Sequence, residues 1–187
     1  SSAIPTNSTS NRRMNAASER IGRIVAVTGA HAIILLDAED AFSAASETSP
    51  EIGTLLKVDT EHTVTLALVS ALSSPTPSHE NQNQEMRIVE LEFIGELPKD
   101  EEGNPKSFRR RVSAYPGLSN VVSRASQSEL AMAYAADHDS SIRIGHIQQD
   151  PSIPAMVKID DLLGKHFAVL GTTGTGKSCS VALILRR

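Results

Sequence analysis

The stretch Gly171-Thr172-Thr173-Gly174-Thr175-Gly176-Lys177-Ser178, reached through the apolar run Phe167-Ala168-Val169-Leu170, decides how the second half of this chain is read. It fills every fixed place of the phosphate-binding loop pattern GxxxxGK[ST], with one glycine more than the pattern demands. A polyphosphate has to be met by several backbone N–H groups at once, and glycines let the main chain curl tightly enough to do it. Lys177, the candidate catalytic residue, supplies a positive charge for the β- and γ-phosphates. Ser178 supplies a hydroxyl for the magnesium ion that accompanies them. Lys177 to Leu185 reads as a helix whose positive N-terminus faces the phosphates, with the small side chain of Cys179 beside the α-phosphate. Gly171, Thr172, Thr173, Gly174, Thr175, Gly176, Lys177, Ser178 and Cys179 are therefore the candidate ATP-binding residues, and Ser178 the candidate Mg2+ ligand.

A P-loop ATPase domain needs further strands and helices after this helix, among them the strand carrying the second magnesium-binding acid. The sequence stops at Arg187 and does not begin with Met. The expectation is a fragment of a longer protein that holds the start of a catalytic domain without the residues that finish it.

The composition fits one complete domain and part of another. At 187 residues the chain can bury a sizeable core, and with no Trp, two Tyr and four Phe that core has to come from Ile, Val, Leu and Ala. A formal charge of −4 argues against a surface that binds nucleic acid everywhere, though it leaves room for a local basic patch. No apolar run reaches membrane-spanning length and no signal-peptide core is present, so no membrane partner is expected. The single Cys179 excludes an internal disulfide and makes the cytoplasm the expected compartment.

Upstream of the loop the pattern is β-rich. Residues 1–18 are polar and read as a disordered tail. Ile21 to Thr28 and Ala32 to Leu36 flank Gly29-Ala30-His31 as a hairpin, and Gly53 to Val58 with Thr63 to Leu72 form a second. A polar loop follows, from Ser73 to Gln84. In Met86 to Leu97, Val89, Leu91 and Phe93 alternate with Glu90 and Glu92, which predicts a strand with one buried face. Phe108 to Val112 is expected to return as its pairing strand. Short strands at hairpin spacing without helices between them indicate a small antiparallel barrel over residues 20–114. Residues 115–141 read as a helical connector, in which Ser126-Gln127-Ser128-Glu129 has capping-box spacing ahead of a helix over Ser128 to Ala136. Ile142 to Ile147 and Met156 to Ile159 read as two strands leading into residues 142–187, the start of the P-loop domain. The expected fold is thus mainly β: a small antiparallel N-terminal barrel, then the truncated beginning of a P-loop α/β, RecA-like, ATPase domain.

Other suggestive residues have plainer readings. Asp137, His138 and Asp139 are metal-capable in type, but three sequence neighbours do not converge on one ion without a turn built for it. Surface positions account for His31, His62 and His79, whereas His166 could pack beside the nucleotide site or serve a plain structural role. Arg109, Arg110 and Arg111 form the densest positive cluster, and on a strand their side chains would alternate in direction.

Ile142-Arg143-Ile144-Gly145-His146, the run Met156 to Leu163, and Lys165-His166 leading through the apolar strand into Gly171 to Ser178 resemble the beginning of the ATPase core of the HerA family, which belongs to the same broad group as the FtsK DNA pumps. The sharp resemblance covers about the last quarter of the chain. The barrel half is similar to the N-terminal barrel these proteins share with rotary ATP synthase subunits, through its strand rhythm and Gly53 to Val58. The resemblance implies a homo-hexameric ring ATPase that moves double-stranded DNA through its channel, often beside a NurA-type nuclease or another effector. The catalytic glutamate, sensor and arginine-finger residues of such proteins lie beyond the position of Arg187. Cys179 departs from the Thr common at that place.

Two other readings belong to different classes. The barrel could be an assembly or protein-docking module, or the P-loop could serve an ATPase that acts on protein or small molecules. A Walker-B strand followed by basic pore loops would separate DNA translocation from both. If residues 1–187 hold only the start of the motor, this polypeptide alone turns over ATP at no useful rate; ordinary ATPase activity in a turnover assay would refute that.

Overall fold

In the computed structural model of the chain, the described residues are 20–37, 50–74, 87–135, 140–166 and 168–185. The polar N-terminal stretch, most of the 73–84 loop with His79, and Asp137 to Asp139 lie outside them.

Six strands close into a barrel: β1 (Arg20–Thr28), β2 (His31–Leu36), β3 (Leu55–Asp59), β4 (Thr63–Ser73), β5 (Ile88–Pro98) and β6 (Val121–Arg124). Their order around it is β1-β2-β5-β4-β3-β6, and every pairing is antiparallel. Both expected hairpins form, β1 with β2 and β3 with β4. Alternation in β5 works as the sequence predicts: Val89, Leu91 and Phe93 are buried while Glu90 and Glu92 face solvent. The interior is filled by Ile21, Ile24, Ile34, Leu56, Val58, Val69, Leu91, Val122 and their neighbours. A closed sheet leaves no unpaired edge to recruit another chain.

Two expectations about the barrel need correcting. The closing strand is β6, inside the stretch read as a helical connector. Val122 pairs with Gly22 on one side and Val58 on the other, and its side chain is fully buried. Four residues are too few to show a period, so the pattern could not reveal this strand. Phe108 to Val112, by contrast, does not form a strand. It touches β5 through one bridge, Glu96 with Arg109, whose two backbone hydrogen bonds are each 2.9 Å. The approach is close because Gly95 has no side chain: a Cβ there would lie 2.2 Å from the Arg109 carbonyl oxygen and 2.6 Å from the Phe108 ring. Arg109, Arg110 and Arg111 are all exposed on this irregular segment.

A second apolar cluster lies on the outside of the barrel. Leu55, Val64, Leu66 and Leu97 are covered by Ala125, by Leu130 of helix α1 (Gln127–Ala133) and by Ile153. The helix starts one residue before the expected Ser128, with Ser126 as its N-cap, and ends at Ala133, short of the expected Ala136. Ser126 accepts from the Glu129 N–H, and the Glu129 carboxylate accepts from the Ser126 N–H at 2.7 Å. The other carboxylate oxygen of Glu129 receives the Lys57 ammonium at 2.7 Å, with both side chains about nine-tenths buried. Helix and barrel are thereby tied by a buried ion pair.

Beyond α1, β7 (Ser141–His146) and β8 (Pro154–Lys158) pair antiparallel as a separate two-stranded sheet. Its connecting loop is fastened to the barrel by Gln149. The carboxamide accepts from the Leu55 N–H at 2.7 Å and donates to the Leu55 carbonyl at 2.9 Å, as a neighbouring strand would. In the same loop the Ser152 hydroxyl and N–H hold the Asp150 carboxyl below its ordinary range. That depressed value favours the folded loop above the unfolded carboxylate pKa, and the contribution fades as pH falls through the lowered one.

Removing one member of a buried ion pair leaves the other charge stranded. Glu129→Gln keeps the capping contact with Ser126 but strands Lys57, and should cost about 3–5 kcal/mol in urea unfolding. Adding Lys57→Met should recover most of that loss. Equal losses in the single and double variants would show that charge pairing does not govern the contact.

Candidate phosphate-binding site

After β8 the chain forms the short helix α2 (Ile159–Leu163), ended by Gly164, and then runs without regular structure to the glycine-rich loop. The expected strand over Phe167 to Leu170 does not form in the described part, Ala168 to Leu170. A parallel strand is held by neighbours on its edges, and among the described residues none pairs with this one. Leu170 is 89% exposed.

The loop itself takes the shape its residues dictate. Gly174 and Gly176 sit at φ 87° and 80°, a region that side-chain-bearing residues seldom occupy. At Gly171 a Cβ would come within 2.7 Å of the Thr175 hydroxyl oxygen. That hydroxyl donates to the Thr172 carbonyl at 2.7 Å, closing the turn on itself. Helix α3 (Lys177–Leu185) starts immediately after Gly176, at the residue the motif predicts. Its first clear helical bond runs from the Ser180 N–H to the Gly176 carbonyl at 2.9 Å. The N–H groups of Lys177, Ser178 and Cys179 therefore point out of the helix start with no partner inside it.

The Lys177 side chain folds back over the loop and donates to the Thr172 carbonyl oxygen. Its ammonium thus already lies against the curl of backbone that a phosphate would enter. Ser178 and Cys179 are exposed in the first helical turn. The residue set fits a nucleotide: small or absent side chains around the curl, free helix-start amides, one cation and one hydroxyl. The expected residues Gly171 to Cys179 come together in one continuous loop-and-helix unit. His166 does not join them; it is exposed before the loop. His146 lies on β7 beside Arg143, with the guanidinium 2.5 Å from its Nε2.

Gln149 and Lys57 escape the sequence reading altogether. A lysine within the apolar run of β3 was the available signal for the ion pair, since an ammonium among Leu and Val side chains needs a partner. Gln149 carries no such signal, because its hydrogen bonds span 94 positions of sequence. No helix among the described residues is long and apolar enough to cross a membrane.

Residues 142–187 match the family model described as "Helicase HerA, central domain". Over 105 residues the chain is 38% identical to the DNA double-strand break repair helicase HerA of Pyrococcus furiosus, a match covering 56% of this chain and 17% of that protein. The matched part is thus a small portion of the relative's length. With a helix-start loop of this shape inside the matched region, the chain is similar to HerA helicases over its last quarter by the family model and over 56% of its length by identity to the Pyrococcus protein.

Proposed function

We propose that Gly171 to Cys179 bind the phosphates of ATP, and that this chain is part of an ATP-driven, DNA-translocating motor of HerA type. The observation that carries this reading is the junction of Gly174 and Gly176 at positive φ with a helix beginning at Lys177, whose ammonium is folded onto the loop. Backbone amides and the helix N-terminus favour an anion at that place. In this reading Lys177 meets the β- and γ-phosphates, Ser178 holds Mg2+, and Cys179 lies beside the α-phosphate. The bound ion would supply charge neutralisation across the phosphate oxygens. Residues 20–124 then form a barrel domain, 125–141 a link, and 142–187 the start of the ATPase core.

The Pyrococcus relative is a helicase of DNA double-strand break repair, which supports double-stranded DNA as the substrate of the whole motor. A homo-hexameric ring with a NurA-type nuclease or another effector docked on it completes the proposal. A barrel interior filled by apolar side chains suits a docking and assembly rim.

Lys177→Ala removes one charge-assisted contact to phosphate, so ATP affinity measured by titration calorimetry should drop roughly ten- to hundredfold. Without nucleotide the same variant should unfold within about 0.5 kcal/mol of the parent, because the side chain packs against no core. Unchanged affinity would remove the phosphate role from this loop. For the full-length ring, the logarithm of DNA affinity should fall linearly with the logarithm of salt concentration. Salt-independent binding, or none, would instead point to a motor working on protein or small molecules.

A further inference from the structure

Glu96 on β5 is 2% exposed, and Ser113 provides its hydrogen bonds. The Ser113 N–H donates to Oε2 at 2.9 Å, and the hydroxyl lies 2.8 Å and 2.9 Å from the two carboxylate oxygens. Ser113 is nevertheless an exposed residue, and it follows Arg109-Arg110-Arg111-Val112. No other serine or threonine of the sequence has arginine at both the second and third positions before it. From Ser107 to Ala114 the backbone forms neither helix nor strand, and one bridge at Arg109 joins it to the sheet. Lifting the segment away costs that bridge, the serine clasp and the apolar contacts of Phe108 and Val112, and leaves the strand-to-strand ladders of the barrel whole.

We propose that Ser113 is a phosphorylation site for a serine kinase that reads basic residues, and that its modification releases the 108–113 segment from β5. In the transfer the bond from the γ-phosphorus of ATP to its bridging oxygen breaks, and a bond from that phosphorus to Ser113 Oγ forms. The hydroxyl proton passes to the kinase's catalytic base and ADP leaves. The exposed guanidinium groups of Arg110 and Arg111 give such a kinase the charge pattern by which it selects a substrate. The product carries close to two negative charges where a hydroxyl had donated to a buried carboxylate, and like charges at that separation repel. The modified serine moves to solvent, where the neighbouring arginines can pair with it. This switch is independent of the nucleotide loop.

The test uses the full 187-residue chain with Lys177→Ala, so that ATP at the loop does not confuse the result. It is treated with ATP and the catalytic subunit of a cyclic-nucleotide-dependent serine kinase. Fragment mass spectrometry should place one phosphoryl group on Ser113. The rate should drop about tenfold or more in Arg110→Ala/Arg111→Ala, the loss expected for a charge-assisted contact. After modification, amide hydrogen exchange at Glu96 and Arg109 should be roughly tenfold faster or more, as their mutual bridge opens. Ser113→Thr keeps a hydroxyl for the clasp and should still be modified, while Ser113→Ala should not. Phosphate found only on other residues, a rate indifferent to the arginines, or unchanged exchange after Ser113 is modified would each overturn the proposal.

Discussion

The ammonium of Lys57 is the constraint around which the outer layer of this structure is arranged. It lies on a central barrel strand among leucines and valines, pointing away from the barrel interior, where water would ordinarily solvate it. Burial of an unpaired charge costs several kcal/mol, so something ionised has to cover it. Glu129 does so, and can only do so if the chain has already passed through β6 and turned into α1 at Ser126. One carboxylate serves two purposes: one oxygen closes the capping box and the other neutralises the lysine. The barrel closure, the helix start and the outer apolar cluster are for this reason one cooperative unit.

That unit also sets where the candidate nucleotide region begins. The loop between β7 and β8 is fastened to β3 by Gln149 and packed into the outer cluster by Ile153. The strand pair leading toward Gly171 is hence anchored on the barrel. Residues 168–185 differ in character. Their loop geometry is local, built from glycine dihedrals and short-range hydrogen bonds, and their apolar residues Leu170 and Leu185 remain exposed. A loop with its own turn chemistry keeps its shape without tertiary cover, whereas the strand expected before it does not, since a strand draws its stability from the strands beside it. The similarity to HerA helicases fits this division, because the family match coincides with the β7-to-α3 region while the identity to the Pyrococcus protein reaches over more of the chain.

The irregular segment carrying Arg109 to Ser113 illustrates how a barrel can hold a responsive element without endangering its ladders. Gly95 lets the segment approach, Phe108 lies against that glycine, and Glu96 clasps Ser113. Its backbone bridge and the serine clasp are both with one strand, β5, while Phe108 and Val112 pack against the two apolar clusters, so the segment is an appendage of the sheet and not a member of it.

Short-range physics made much of this protein legible from its residues alone. Two hairpins, the alternating strand through Val89, Leu91 and Phe93, the capping box at Ser126, and the helix start at Lys177 each follow from spacings within a few positions. What depended on partners distant in sequence stayed hidden: the closing strand Val121–Arg124, the pairing of Lys57 with Glu129, the Gln149 bridge to Leu55, and the failure of Phe108 to Val112 to become a strand. A four-residue strand has no period to betray it, and a buried charge does not announce its counter-ion. Those choices are made only when the sheet closes and the energy of each group is set by whatever the fold has brought beside it.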